Sequence, residues 1–256
     1  MSDLFRLDNK VALIMGGAGG IGGGLVKGFS QQGAKVVISD FNQQGQDETA
    51  KRVSAETGNQ VIGISCDVQK EETVAAMVKQ VVAKMGTIDI LINAFGWNIK
   101  RDAFEYPLDD WRKLMDINIT GTMTTCKQVG NLVFKAKKAG KIINLSSVRG
   151  IRGKDGGNVG YSATKGAVEM ITKSLALEWA PYNINVNAIG PALVITPGTI
   201  HIKQNPELAE KYRKAIPLGR LPEPEDMVGP CIFLASKAAD FITGLTVYVD
   251  GGVTAG

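Results

Sequence analysis

The sequence predicts an α/β fold, a Rossmann-type doubly wound parallel sheet of about seven strands with helices on both faces. Two observations predict it. Short clusters rich in β-branched residues and apolar almost throughout recur along the chain, and strands of that kind are buried on both faces, as in a parallel sheet. The segments between them place apolar residues at three- and four-residue spacing, the pattern of amphipathic helices. Alternation repeated this often implies right-handed crossovers.

The elements follow in order. Residues 10–15 (KVALIM) form the first strand and run into a glycine-rich turn. A helix over 20–32 then puts Ile21, Leu25 and Phe29 on one face. Strands are expected at 35–39 and 60–65, and a helix at 70–85 that aligns Val74, Met77, Val78, Val81 and Val82. Residues 88–93 are the fourth strand, 108–138 a long helix, 141–146 the fifth strand, 161–180 a second long helix and 184–189 the sixth strand. Residues 191–221 break the rhythm with Pro191, Pro197, Pro206 and Pro217 and only a short helical piece around 206–215. That is long for a structural connection and reads as a substrate lid, an oligomer contact being the alternative. A helix at 224–236 has Glu223 and Glu225 at its start, where negative charge suits the helix dipole. Residues 246–250 are the last strand. No linker or repeat interrupts the pattern, so one domain is expected over 1–256.

Composition narrows the function classes. Of 256 residues, 29 are basic and 25 acidic, too mild and scattered a balance to argue for nucleic acid. Apolar runs fall far short of the ~20 residues of a membrane helix, and the N-terminus lacks a signal-like apolar stretch. The three cysteines, Cys66, Cys126 and Cys231, have no metal-ligand spacing and read as reduced thiols of a cytoplasmic protein. With His201 the one histidine, no metal site and no Ser-His-Asp triad is expected. The 31 glycines concentrate in short runs, which marks backbone that something must approach.

The first strand leads into Gly16-Gly17-Ala18-Gly19-Gly20-Ile21-Gly22 and then a helix. A turn of this kind lets a pyrophosphate reach bare backbone N–H groups at a helix N-terminus. The next strand ends in Asp40, 18 residues after Gly22. A carboxylate there accepts ribose hydroxyls and repels a 2′-phosphate, and no cation follows directly, so the expected cofactor is NAD. An ordinary turn residue is the alternative for Asp40.

Tyr161 and Lys165 stand four apart on one predicted helix face. A nearby cation favours the phenolate and lowers the phenol's pKa, giving a general acid/base suited to interconverting an alcohol and a ketone. Upstream, Ser146 and Ser147 end a strand, where a hydroxyl can meet a substrate oxygen.

With these elements in place, the chain resembles the short-chain dehydrogenase/reductase family over nearly its whole length. Gly16, Gly20, Ile21 and Gly22 resemble its TGxxxGIG turn, and Asp67-Val68 its adenine-contacting pair. Asn93-Ala94-Phe95-Gly96 falls where the family has NNAG. Asn118 matches its catalytic Asn, Ser147 its Ser, and Tyr161 and Lys165 its YxxxK. Pro191 to Thr196 resembles PGxVxT. Departures are Met15 for Thr, Ala94 and Phe95 for Asn and Ala, Ala192 for Gly, and a Ser147-to-Tyr161 spacing one longer than is common, which predicts a bulged loop. Met15 leaves the turn without a bracing hydroxyl, and Phe95 reshapes the wall beside the ribose.

The resemblance implies hydride transfer at a nicotinamide. Tyr161 exchanges the hydroxyl proton, Ser147 positions the substrate oxygen, Lys165 holds the nicotinamide ribose, and Asn118 holds a water. It implies cofactor contacts from Gly16, Gly19, Gly20, Ile21, Gly22, Asp40, Phe41, Asp67, Val68, Asn93, Tyr161, Lys165, Val194 and Thr196. It also implies a homotetramer pairing the two long helices. A non-catalytic dinucleotide-binding subunit on the same fold is the alternative, but it has no need of all four catalytic groups.

The substrate side is less defined. Arg149 and Arg152 follow Ser147; Lys100 and Arg101 belong to the same rim; His201, Lys203, Lys211, Arg213 and Lys214 lie in the lid. An electropositive mouth suits an anionic substrate: a hydroxy acid, a sulfonated or phosphorylated polyol, or a hydroxyacyl-CoA. The alternative is that these cations are solvated and balanced by Asp102, Asp155 and Glu207, with Trp97 and Phe95 setting specificity as an apolar wall.

Overall fold

The structure, a computed structural model, describes residues 2–256. Its centre is one seven-stranded sheet, all parallel, in the order β3-β2-β1-β4-β5-β6-β7. The strands are β1 Val11–Met15, β2 Lys35–Ser39, β3 Val61–Gly63, β4 Ile90–Asn93, β5 Gly140–Leu145, β6 Ile184–Pro191 and β7 Thr246–Val249. Chain order reverses between β1 and β4, the switch point where such sheets open a crevice for ligands.

Alternate residues of β1 enter opposite cores. Ala12 and Ile14 join one with Leu25, Val26 and Phe29 of α1 (Gly20–Gln31) and with Met227, Cys231 and Leu234. Val11, Leu13 and Met15 join the other with Val74, Met77, Val78 and Val81 of α3 (Glu71–Met85) and with Cys126 and Val129. The period of two along a strand is what splits them.

Register aligns the strand ends. Met15 pairs with Ser39 on one side and Asn93 on the other; Asn93 pairs with Asn144, and Leu145 with Ile189. The glycine turn, Asp40, the 94–97 segment and Ser147 therefore leave the sheet at the same edge.

Two differences from the sequence pattern have plain causes. Helix α2 (Gln43–Thr57) was not evident because it is polar almost throughout, burying only Gln46, Thr49, Ala50 and Val53. Asn42 caps its start by accepting from the Gly45 N–H, and left-handed Gly58 ends it. The expected helix over 108–138 runs as α4 (Leu108–Met115), α5 (Gly121–Val129) and α6 (Lys135–Lys137), joined by π-helical turns at Asp116–Thr120 and Gly130–Phe134. The first of these holds Asn118 at its centre.

After β5 comes α7 (Val159–Trp179); after β6 come the short α8 (Ile200–Gln204) and α9 (Pro206–Lys214); α10 (Val228–Ala235) precedes β7. All three cysteines are free and buried, and burial pushes the Cys126 thiol up to about 12. Among the described residues no helix is long and apolar enough to cross a membrane, and no group of His, Cys, Asp or Glu is placed to hold a metal.

Candidate active site

The turn after β1 is built for backbone contact. A Cβ on Gly16, whose φ is +80°, would sit 2.7 Å from the Phe95 nitrogen, and one on Gly22 would strike the Gly16 carbonyl. Gly20 (φ +57°) faces the Thr196 side chain, so the start of the 191–221 segment lies against the turn. A Cβ on Gly19 would enter open space, and no side chain caps the helix that begins there. The first-turn N–H groups of α1 have no acceptors within the helix. An anionic group fits this cradle.

Met15 leaves the turn without a bracing hydroxyl at that position, but another supplies it. Thr49 of α2 donates to the Ala18 carbonyl at 3.1 Å, and the Ala18 N–H donates to the Asp40 carboxylate at 3.1 Å. Asp40 also accepts from the Asn42 N–H at 3.0 Å. Its carboxylate thus sits at the rim of the cradle, beside an exposed Phe41. Asp67 caps the next turn by accepting from the Gln69 N–H. Val68 packs near Gly121, where the Phe95 ring also lies. Phe95 therefore fills the core beside Val68.

The Asn93 side chain is held beneath the site. It is buried, donates to Asn144 at 2.9 Å and accepts from Thr125 at 2.8 Å, while Asn144 donates to Thr172 at 3.0 Å. This chain of buried polar groups ties β4, β5, α5 and α7 together beneath the site.

Lys165 is 4% exposed, and its ammonium donates to the Leu145 carbonyl at 2.7 Å. It lies 5.6 Å from the centre of the Tyr161 ring. Gly96 passes over it, and a Cβ there would touch both Lys165 Nζ and Asn118 Oδ1. Asn118 is committed: Nδ2 donates to the Trp97 carbonyl at 2.8 Å and to Thr164 at 3.0 Å, and Oδ1 accepts from the Trp97 N–H at 2.8 Å. Thr164 in turn donates to the Tyr161 carbonyl. The π turn swings Asn118 into this bridge between the 94–97 segment and α7.

Ser147 Oγ lies 3.3 Å from the Pro191 carbonyl and accepts from the Arg149 N–H at 3.2 Å. The loop from there to Tyr161 absorbs its additional residue with a 3-10 turn at Val148–Gly150 and two left-handed glycines, Gly156 and Gly157.

The electrostatics correct one expectation. The phenol of Tyr161 lies above its ordinary value, not below, because burial outweighs the Ser147 hydrogen bond and the Arg149 charge that favour its phenolate. Burial also pulls Lys165 down to about 8. The sequence shows that the two are neighbours; only the fold shows that Lys165 is almost wholly buried and Tyr161 partly so.

A stability prediction follows for Lys165. Unfolded, its amine titrates near 10.5; folded, near about 8. Between those values the unfolded chain binds more protons, so this residue makes stability rise with pH across that window, by about 3 kcal/mol in all. Lys165→Met should therefore be more stable than wild type at pH 7, with the gap closing as pH climbs toward 10. Parallel Tm curves for the two proteins across that range would refute it.

The rim is less positive than the sequence suggests. Arg101 pairs with Asp110, Lys203 with Glu223, and Arg213 and Lys214 with Glu210. The balancing acids are thus different from Asp102, Asp155 and Glu207. Lys154 lies over the Tyr212 ring of α9, and Lys113 over Trp97. Arg149 donates to the Gly153 carbonyl, and Arg152 to that of Val253. Arg149 is pushed down by burial and by its neighbour Arg152. The charges of both Arg152 and Tyr161 act on Arg149.

Known proteins resemble this chain in sequence and fold. A family model described as enoyl-(acyl carrier protein) reductase matches residues 16–254. The chain is 36% identical to a 2-dehydro-3-deoxy-D-gluconate 5-dehydrogenase of Formosa agariphila, over 99% of this chain and 96% of that protein. It is 34% identical to an NAD-dependent glycerol dehydrogenase of Listeria innocua, over 98% and 96%. The crystal structure of a gluconate 5-dehydrogenase from Burkholderia cenocepacia in complex with NADP and tartrate matches with a TM-score of 0.94 at 35% identity, covering 99% of this chain and 98% of that one. A proton-exchanging group beside a dinucleotide cradle is what an alcohol–ketone oxidoreductase with a nicotinamide cofactor requires. The chain belongs to the short-chain dehydrogenase/reductase family.

Proposed function

We propose that this oxidoreductase prefers NAD and interconverts a secondary hydroxyl and a ketone on an anionic sugar acid of the gluconate type. The nicotinamide supplies the hydride acceptor or donor. Tyr161 Oη exchanges the proton of the substrate hydroxyl, and Ser147 Oγ holds the substrate oxygen against it. Lys165 binds the ribose beside it, with Leu145 fixing its ammonium. Asn118 acts by position, because its side-chain donors are both spent on Trp97 and Thr164. Gly16, Gly19, Gly20, Ile21 and Gly22 carry the pyrophosphate turn, with Asp40 and Phe41 at the adenosine ribose, Asp67 and Val68 at the adenine, and Val194 and Thr196 at the nicotinamide side.

The observation that carries the substrate class is Arg149, a partly buried guanidinium whose charge acts on Tyr161 and is opposed by Arg152. An anionic end on the substrate relieves that repulsion. Tartrate in the Burkholderia complex and the sugar-acid names of relatives support the same class. The NAD preference rests on Asp40, whose carboxylate stands at the cradle without a following cation.

The test compares D-gluconate with D-glucitol, a neutral polyol of equal carbon count. Arg149→Ala should raise KM for gluconate about tenfold and change that for glucitol little, and rising salt should weaken gluconate alone. Glucitol turning over best, with no salt effect, would overturn the anionic reading and shift specificity to Trp97.

The chain acts as one catalytic domain, with 191–221 as its lid: Lys154 reaches from the substrate loop to Tyr212 of α9. A homotetramer is supported by apolar side chains exposed on the long helices, Met170 and Leu177 on α7 and Met123 and Leu132 on the 108–137 helix. Free thiols suit a cytoplasmic location.

A further inference from the structure

We propose that Glu169 is a positioning residue for this reaction, setting the place of Ser147 and Lys165 through Ser146 and Tyr248. The proposal rests on the active-site reading above.

Tyr161, Lys165 and Glu169 are spaced by four on α7 and so follow one another down a single face. The first two meet the cleft. The third is 5% exposed and turns toward the sheet beneath it. A buried carboxylate is costly unless its lone pairs are filled. Here they are: the Tyr248 hydroxyl lies 2.8 Å from Oε1 and 2.9 Å from Oε2, and Ser146 Oγ lies 3.0 Å from Oε1. Burial and the facing carboxylate both hold the Tyr248 phenol well above its ordinary value, so it stays a donor.

Two glycines clear the space for this cluster. A Cβ on Gly150 would lie 2.5 Å from Glu169 Oε1 and 2.9 Å from Ser146 Oγ. A Cβ on Gly190 would lie 2.5 Å from the Tyr248 ring. Gly150 belongs to the 3-10 turn that follows Ser147, and Gly190 lies in β6, next to the strand that carries Tyr248. Neither glycine has a positive φ, so the space and not the backbone conformation requires them.

The cluster connects to the catalytic groups by short steps. Ser146 immediately precedes Ser147. Its N–H donates to the Ile189 carbonyl at 2.8 Å, and its hydroxyl hydrogen is shared between Glu169 and the Lys165 carbonyl at 3.2 Å. One hydroxyl thus fixes the end of β5 against the turn of α7 that presents Lys165. Glu169 holds that hydroxyl, and Tyr248 holds Glu169 from the far edge of the sheet. Without the carboxylate, Tyr248 loses its buried acceptor and Ser146 keeps only the longer bond to the Lys165 carbonyl, which loosens the strand end relative to the helix. Reaction geometry tolerates little such movement. Cofactor contacts at the glycine turn lie on other elements and stay as they are.

The full-length wild type is compared with Glu169→Ala, Glu169→Gln, Tyr248→Phe and, as a control, Tyr161→Phe. Each is assayed with whichever of D-gluconate, D-glucitol and glycerol the wild type oxidises fastest, using its better dinucleotide. NADH affinity is read by fluorescence and folding by calorimetry. Glu169→Ala should lose at least about tenfold in kcat with NADH affinity within about threefold of wild type. Glu169→Gln should recover most of that loss, because its carbonyl still accepts from Tyr248 and its amide donates to Ser146. Tyr248→Phe should fall between the two. A folded Glu169→Ala with kcat within about twofold of wild type overturns the proposal. So does a Glu169→Gln as slow as Glu169→Ala, since charge and not position would then govern. If Glu169→Ala does not fold, a folded Tyr248→Phe with wild-type kcat overturns it. Turnover by Tyr161→Phe within about tenfold of wild type would instead place the failure in the active-site reading.

Discussion

Tyr161→Phe should lower kcat by about a thousandfold, within the range that a positioned general acid/base contributes. The change removes one oxygen and leaves the ring, Lys165 and its bond to the Leu145 carbonyl in place. NADH affinity should therefore stay close to that of wild type. The pH profile supplies a second reading. Oxidation by the wild type should rise with pH as the phenol ionises, and the residual rate of the Phe variant should lack that limb. Because burial raises Tyr161 in the protein alone, whatever lowers it to working pH must come with the bound reactants. The Ser147 hydrogen bond and the Arg149 charge already act in that direction. Turnover within about tenfold of wild type would remove Tyr161 from the reaction.

The double variant Asp40→Ala, Phe41→Arg should reduce the ratio of NAD to NADP efficiency by about a hundredfold. Two charge changes act together: a carboxylate that repels a 2′-phosphate is lost, and a guanidinium that can pair with it is gained. Each is of the order of a charged hydrogen bond, about 1.5–3 kcal/mol. Asp40 also accepts from the Ala18 and Asn42 N–H groups, so Asp40→Ala alone should loosen the turn and weaken NAD, and should shift the ratio towards NADP by less than the double variant does. Steady-state kcat/KM for both dinucleotides in the wild type and the two variants separates the effects. An unchanged ratio in the double variant would mean that Asp40 faces away from the ribose.

The sheet and the place of the candidate site were legible in the sequence for a common reason. Strands buried on both faces leave continuous apolar runs, and the groups proposed to do chemistry leave the sheet at the ends of those runs. Asp40 follows β2, Ser147 lies just beyond β5, and the glycine turn follows β1. What was hidden depends on contacts between distant elements. Nothing in the residues around Asn118 announces a π turn. Its effect is to bring a side chain from one helix to the Trp97 backbone and to Thr164 on another. The cations of the rim find acids that only the fold brings close, as with Lys203 and Glu223. Helix α2 escaped the pattern because it lies on the surface with few apolar residues. Glu169 did leave a signal: an acid on the buried face of a helix, one turn after Lys165. A charge at such a position has to be satisfied from outside its own helix, and Tyr248, 79 residues on, does so.

Hydride transfer from substrate carbon to nicotinamide is the central claim, and isotope transfer tests it most directly. The wild type is incubated with oxidised dinucleotide and a sugar acid deuterated on the carbon that bears the oxidised hydroxyl, D-gluconate labelled at C5 being the first choice. The account predicts one deuterium in each reduced nicotinamide recovered, matched by one keto acid formed. Reduced dinucleotide that carries no deuterium, or no reduction with any sugar acid or polyol offered, would contradict it.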